Sequence, residues 1–188
     1  MGRPIDHAMI TRLLRPKSVA VVGASDKAGS LGASVLGNLD RNGFAGEVYP
    51  INPNRDRIGA RVCLPSVDAL PEGVDVAVLA IPQPAVLEAV RGLARRKVGA
   101  AIIFSAGFAE GGEEGLAQQA EIARIAAEAG MVIEGPNCLG MVNHGDGIPL
   151  TFVETACKAP NGRRSIGVVS QSGAMAAVLC TTLLAREL

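Results

Sequence analysis

Five short segments carry the residue types best suited to chemistry, and each one follows an aliphatic run: Gly23-Ala24-Ser25, Asn52-Pro53-Asn54-Arg55, Ile81-Pro82, Ser105-Ala106-Gly107 and Gly135-Pro136-Asn137-Cys138. They are small, hydroxylic or amide-bearing, and none is a carboxylate. Backbone N–H groups, Asn and Ser without a nearby acid suit an anionic ligand. Small residues also make tight strand-to-helix turns by themselves, and for any one loop both readings stand.

The first of these turns opens a helix-like segment, the usual cradle for a pyrophosphate. Its glycines, Gly23, Gly29 and Gly32, do not fit G-x-G-x-x-G, and no G-x-x-x-x-G-K-[ST] is present. A dinucleotide fingerprint would place an acid about 20 residues further on, for a ribose hydroxyl. Asn52 and Arg55 stand there instead. An arginine at that place suits a phosphorylated ribose, as in coenzyme A or NADP, although a lone arginine is by default a solvated surface residue.

Metal and thiol chemistry have less to work with. Cys63, Cys138, Cys157 and Cys180 are far apart with no C-x-x-C, and only His7 and His144 could join them, so a zinc site is not expected. The acids Glu110, Glu113 and Glu114 precede a helix, where first-turn charge explains them. His144 reads as a polar loop residue and His7 as part of a mobile tail.

The elements that must position these loops repeat in one rhythm: a short aliphatic run, a Gly or Pro turn, then a helical segment. That rhythm implies parallel βαβ units. Expected strands are Val19–Val22, Glu47–Ile51, a short one near Val62, Val76–Ile81, Ala100–Phe104 and Met131–Ile133. Expected helices run from Ser30 to Asn42, Ala85 to Arg96, and from Gly115 to Ala129, where Gly130 stops the last. Runs apolar on both faces belong to a sheet covered by helices on each side. Beyond Asn143 the composition shifts to turn residues, which marks a domain boundary. Ile166–Val169 then reads as a new strand, Ser170–Gly173 as its turn and Ala174–Leu188 as its helix.

The 188 residues carry 18 basic and 18 acidic side chains, one Tyr and no Trp, which removes the basic footprint and stacking residues of nucleic-acid binding. Residues 165–185 lack charge, but polar residues and the Ser170–Gly173 turn split the window, so no membrane span is expected. With no apolar leader at the N-terminus and scattered free thiols, a cytoplasmic setting is expected.

Five motifs in fixed order carry a resemblance: Val21-Val22-Gly23-Ala24-Ser25, Val48-Tyr49-Pro50-Ile51-Asn52-Pro53, Phe104-Ser105-Ala106-Gly107-Phe108-Ala109-Glu110, Gly135-Pro136-Asn137-Cys138-Leu139-Gly140 and Val168-Val169-Ser170-Gln171-Ser172-Gly173. From about Thr11 onward the chain resembles the CoA-binding domain of NDP-forming (ADP-forming) acyl-CoA synthetases, and more distantly the succinyl-CoA synthetase alpha subunit. The resemblance implies an α/β fold: a Rossmann-like doubly wound parallel sheet at 11–145, a linker at 146–164, and at 165–188 the first βα unit of a second, flavodoxin-like phosphohistidine domain.

Carried over by position, the resemblance implies that Gly23, Ala24 and Ser25 meet the CoA phosphates. Asn52, Pro53 and Arg55 surround the adenosine and its phosphate, and Ile81 and Pro82 contact the adenine or its ribose. Ser105 and Ala106 line the pantetheine path, while Asn137 and Cys138 lie near the thiol. The succinyl enzyme has a threonine and a glutamate where this chain has Ser105 and Ala106, so contacts of that glutamate do not carry over. Ser170, Ser172 and Gly173 match a phosphate-holding helix start; Ser-x-Ser-Gly is also an ordinary helix cap.

The implied reaction makes acyl-CoA from acid, CoA and nucleoside triphosphate, or the reverse, through a phosphohistidine. That histidine, and the segment that binds ADP or ATP with Mg, would lie in domains or a beta subunit outside this chain, which alone is expected to bind CoA without turnover. A stand-alone CoA-binding module, a fused protein acetyltransferase and an NADP-dependent oxidoreductase domain are the rival readings. The apolar last helix is expected to drive self-association.

Overall fold

A computed structural model describes residues 6–159 and 165–186. In chain order the elements are α1 (His7–Leu14), β1 (Ser18–Val22), α2 (Leu31–Arg41), β2 (Glu47–Ile51), a hairpin of β3 (Arg57–Ile58) and β4 (Arg61–Val62), β5 (Val76–Leu79), α3 (Gln83–Arg95), β6 (Ala100–Ile103), α4 (Glu113–Ala129), β7 (Val132–Glu134), a hairpin of β8 (Gly140–Asn143) and β9 (Ile148–Thr151), and α5 (Gly173–Ala185). Short 3₁₀ turns stand at Val67–Ala69 and Ala109–Gly111.

Five strands form a parallel sheet in the order β2-β1-β5-β6-β7. All four residues of β5 and of β6 are buried, as the unbroken aliphatic runs required. Alternate residues point to opposite faces. Ala20, Ala77, Leu79, Ala101 and Ile103 pack with Val90 and Leu93 of α3 and Ile122 of α4. Val19, Val21, Val76, Val78 and Ile102 pack with Leu13 of α1, Val35 and Leu39 of α2, and Ile148 and Leu150 of β9. The sheet is therefore doubly wound, and its order reverses between β1 and β5, where such folds open a ligand crevice at the carboxyl ends.

Three expectations are corrected. The tail that was to hold His7 is a helix: Asp6 caps it by accepting Met9 N–H at 2.9 Å, and Arg12 ties it down through Asp75 at 3.1 Å and the Gly73 and Val74 carbonyls at 2.8 Å. The segment expected as a linker from residue 146 begins with buried β9, because the turn residues after Asn143 close a hairpin. Residues 160–164 of that segment lie outside the described residues. Ile166–Val169 is not a strand. Among the described residues no neighbour supplies a ladder, so it stays unpaired, with Ile166 and Val169 exposed. The helix expected after it does form, as α5, and the last two positions of that expectation, Glu187 and Leu188, lie outside the described residues.

Candidate functional site at the carboxyl ends of the parallel strands

The first turn is shaped by two glycines. Gly23 has φ +83°, and a Cβ there would stand 2.4 Å from the Ala80 carbonyl oxygen. A Cβ on Gly32 would stand 2.1 Å from the Gly23 oxygen, so α2 begins directly against the turn. Close backbone approach and tight helix packing, two tasks of the missing dinucleotide fingerprint, are thus met with different spacing. The spacing test that named Gly32 did not reveal this packing role, because its contact is with a turn several positions earlier in the chain. The N–H groups of Gly23 and buried Ala24 both donate to the Ile51 carbonyl, at 3.1 and 3.2 Å. The N–H groups of Leu31 and Gly32, at the open end of α2, have no intrahelical acceptor. Ser25 Oγ accepts Lys27 N–H at 3.0 Å, and Ser30 Oγ caps α2 at Ala33 N–H.

Beyond β2, Asn52 donates Nδ2–H to the Ala24 carbonyl at 2.8 Å and accepts Asn54 N–H at 2.8 Å, which ties the first two loops together. Pro53 is exposed. Arg55 is half-exposed and pairs with Asp26 at 3.3 Å, so this end of the row of loops carries a carboxylate that the sequence reading left out. Beyond β5, Ile81 walls the first turn, its Cγ2 lying 2.8 Å from where a Gly23 Cβ would be. Pro82 is the exposed residue that precedes α3.

The β6 and β7 loops form a second group. Asn137, at φ +55°, donates its N–H to the Ser105 carbonyl at 3.0 Å. Ser105 Oγ is buried with no hydrogen-bond partner among the described residues, and Ala106 is exposed. Glu110 corrects its sequence reading. It sits in the 3₁₀ turn rather than the first turn of α4, and its carboxylate accepts Gly107 N–H at 2.9 Å. That backbone bond holds its pKa below the ordinary carboxylate value. Cys138 donates Sγ–H to the Ile103 carbonyl at 3.4 Å. Burial, then the charge of Glu134, pushes its thiol up to about 11.

Glu134 is the residue the sequence reading missed. It ends β7, one position beyond the expected strand, and directly precedes Gly135-Pro136. Burial raises its pKa to about 7, and among the described residues no donor or cation offsets it. The signal that could have found it was a carboxylate in the last strand position before a Gly-Pro turn, in a row of strand ends otherwise without acids.

The start of α5 is capped by Ser172, whose Oγ accepts Met175 N–H at 3.3 Å, while Ser170 Oγ accepts Ser172 N–H at 3.1 Å. A Cβ on Gly173 would lie 2.8 Å from the Leu139 side chain, so this helix start abuts the loop that holds Asn137 and Cys138. His144 stands apart in the β8–β9 turn, half-buried, its pKa lowered by burial. An open groove of about 530 Å³ between α2 and the β3–β4 hairpin shares only Ser25 and Asp26 with these loops, and its Arg61 is paired with Asp40.

Known proteins resemble this chain in both sequence and fold. The family described as "CoA binding domain" matches residues 17–144. The chain is 56% identical over 187 residues to a trans-feruloyl-CoA synthase of an unknown prokaryotic organism, covering 99% of this chain and 26% of that protein. It is 40% identical over 169 residues to the ADP-forming 4-hydroxybutyrate–CoA ligase of Nitrosopumilus maritimus, covering 89% and 24%. It spans about a quarter of the length of these curated relatives. Among solved structures, a Pyrococcus horikoshii OT3 protein superposes with TM-score 0.84 at 32% identity, covering 95% of this chain and 40% of that one. The dinucleotide-forming acetyl-coenzyme A synthetase 1 of Ca. Korarchaeum cryptofilum, in complex with phosphate and ADP, does so with TM-score 0.78 at 32% identity, covering 94% and 37%.

Proposed function

Because this chain belongs to the CoA binding domain family, we propose that it is the CoA-binding portion of an NDP-forming acyl-CoA synthetase. The proposed reaction joins an organic acid to CoA at the expense of a nucleoside triphosphate, or runs in reverse, through a phosphohistidine. ADP or ATP with Mg is taken to be held by the remaining synthetase domains or a beta subunit, and the setting to be the cytoplasm, in keeping with four free cysteines. Among the described residues, no helix is long and apolar enough to cross a membrane.

The residues present fit CoA. The turn at Gly23 leaves no room for a Cβ and presents the open N–H groups at the start of α2 to an anion. Arg55 is available to a ribose phosphate, because a half-exposed pair with Asp26 is worth only about 0–1 kcal/mol and a dianion competes well against it. Ile81 offers an apolar edge to a base. Ser105 Oγ is a buried hydroxyl in want of a partner, as a pantetheine amide would supply. CoA supplies the thiol that receives the acyl group; the chain's own work is to hold the phosphates at one end of the crevice and the thiol at the other.

The observation that carries the synthetase reading over a stand-alone binder is the contact between Leu139 and Gly173. It brings a capped helix start, suited to a phosphate dianion, against the loop proposed for the thiol. A lone CoA binder has no use for that apposition. The boundary of the CoA-binding body then falls after β9, with residues 165–188 as the opening of the phosphohistidine domain. Exposed Met175, Val178 and Leu179 on α5 support a covering partner, from the rest of that domain or a second copy.

Calorimetric titration with CoA, dephospho-CoA and NADP tests the reading. Binding of CoA, weaker binding of dephospho-CoA and none of NADP is the expected result. Binding of NADP without CoA overturns it in favour of an oxidoreductase domain.

A further inference from the structure

We infer that Glu134 is the proton acceptor for the thiol of CoA at the β7 end of the crevice, an inference that rests on the CoA-binding reading above. The phosphate end of the crevice is at β1, where Gly23 and the start of α2 lie. From β1 across β5 and β6 to β7 is three strand spacings, about 14 Å at ~4.8 Å each. An extended ligand anchored by its phosphates at the first turn therefore runs past Ser105 and delivers its far end to the Glu134–Cys138 segment.

Among the described residues, only one acid in this neighbourhood is equipped for the role. Glu110, across the loop, is engaged by Gly107 N–H and held at low pKa, so it does not take up a proton near neutrality. Among the described residues, no cation neutralises Glu134. The arginines of the adjoining α1 and its C-terminal end are paired elsewhere, Arg12 with Asp75 and Arg15 with Asp146, and α5 carries no charge from Gly173 to Ala185. The remaining titratable group that feels its charge is the Cys138 thiol, kept protonated by burial and by Glu134 itself. The same surroundings would hold an incoming thiol in its poorly nucleophilic form unless a base removed the proton. A carboxylate titrating near neutrality is matched to that step.

The step balances without another reagent. As sulfur attacks an acyl phosphate, the S–H bond breaks and its proton passes to a Glu134 carboxylate oxygen. The C–S bond forms, the bond between acyl carbon and phosphate oxygen breaks, and phosphate leaves with that electron pair. Glu134 then releases its proton to solvent.

The test uses this 188-residue chain and a small activated ester, 4-nitrophenyl acetate, with acetyl-CoA measured directly as product over pH 5 to 9. The chain alone is not expected to run the full synthetase reaction, but with CoA saturating the wild type is expected to accelerate this partial transfer with a midpoint near pH 7. E134Q is expected to lose that midpoint and at least tenfold of the rate at pH 7.5, while calorimetric CoA affinity stays within twofold. An unchanged rate and profile in E134Q, or bound CoA that reacts no faster than free CoA in the wild type, overturns the role of Glu134. Absence of CoA binding by the wild type overturns the CoA reading instead.

Discussion

Asn38 Nδ2 donates to the Thr151 carbonyl at 2.8 Å across 113 positions of sequence. The same side chain donates to the Val153 carbonyl at 2.8 Å and accepts Thr155 N–H at 3.2 Å. One turn later, Asn42 donates to the Thr155 carbonyl at 2.9 Å and accepts Cys157 N–H at 2.6 Å. Two amides at the C-terminal end of α2, the helix that begins at the Gly23 turn, thus fix β9 and the segment that leaves it.

Removing this clamp is expected to cost about 2 kcal/mol, because Asn38→Ala leaves a buried strand end without its donors. Urea unfolding checks the value. Hydrogen exchange should show the Thr155 and Cys157 amides losing protection, while the sheet amides of β5 and β6 keep theirs at the lowered global stability. A change below about 0.5 kcal/mol would show that water or backbone replaces the amide.

Gly23→Ala places a Cβ against the Ala80 carbonyl at a positive φ, so a loss of more than about 1 kcal/mol is expected. The turn must open to admit the methyl, and CoA affinity should fall at least tenfold. A variant with unchanged melting temperature and affinity would place the phosphates elsewhere.

Ser105→Ala should separate stability from binding. Its buried hydroxyl has no partner among the described residues, so removing it is expected to leave the unliganded protein as stable or slightly more so. CoA affinity is expected to fall several-fold. Thermal unfolding with and without CoA reads both effects; a destabilised free protein would reveal an internal role for the hydroxyl.

Glu134 gives a pH signature of its own. Its folded pKa of about 7 lies above the ordinary value of 4.5, so between those values the native state binds more protons than the unfolded chain. Stability from this group is complete below pH 4.5 and is lost as pH rises through 7. The shift corresponds to about 3 kcal/mol, and residual exposure brings the expected loss nearer to about 2 kcal/mol. E134Q should match the wild type at pH 4 and exceed its stability by about 2 kcal/mol at pH 8, as read by denaturant unfolding at the two pH values.

Arg55→Ala should leave stability within about 1 kcal/mol, since its pair with Asp26 is half-exposed. It should also equalise the affinities for CoA and dephospho-CoA. Discrimination that survives the substitution would assign the ribose phosphate to another cation, with Lys27 the neighbour to change next.

The parallel sheet and its loops were legible because their signals are local. Val76–Leu79 and Ala100–Ile103 are aliphatic without interruption, which only a sheet covered on both faces accommodates. Gly and Pro mark the turns after them, so the row of loops from Gly23 to Cys138 could be placed at one edge before any contact was known. Helix α1 was not legible in the same way. Its hold on the fold comes from Arg12 reaching Asp75, 63 positions away, and no nearby residue announces it.

The sequence by itself determined the βα rhythm, the aliphatic core and the small, amide-rich character of the strand ends, because these follow from residue type and period. The tertiary structure alone decided which side chains meet. It set Asp26 on Arg55, engaged Glu110 with the Gly107 amide, and left Ile166–Val169 unpaired. It also partly buried Glu134 beside Cys138. Charge, burial and ladder partners at these places come from chain segments brought together only by packing, and a carboxylate acquires its proton affinity from what surrounds it, not from its neighbours in sequence.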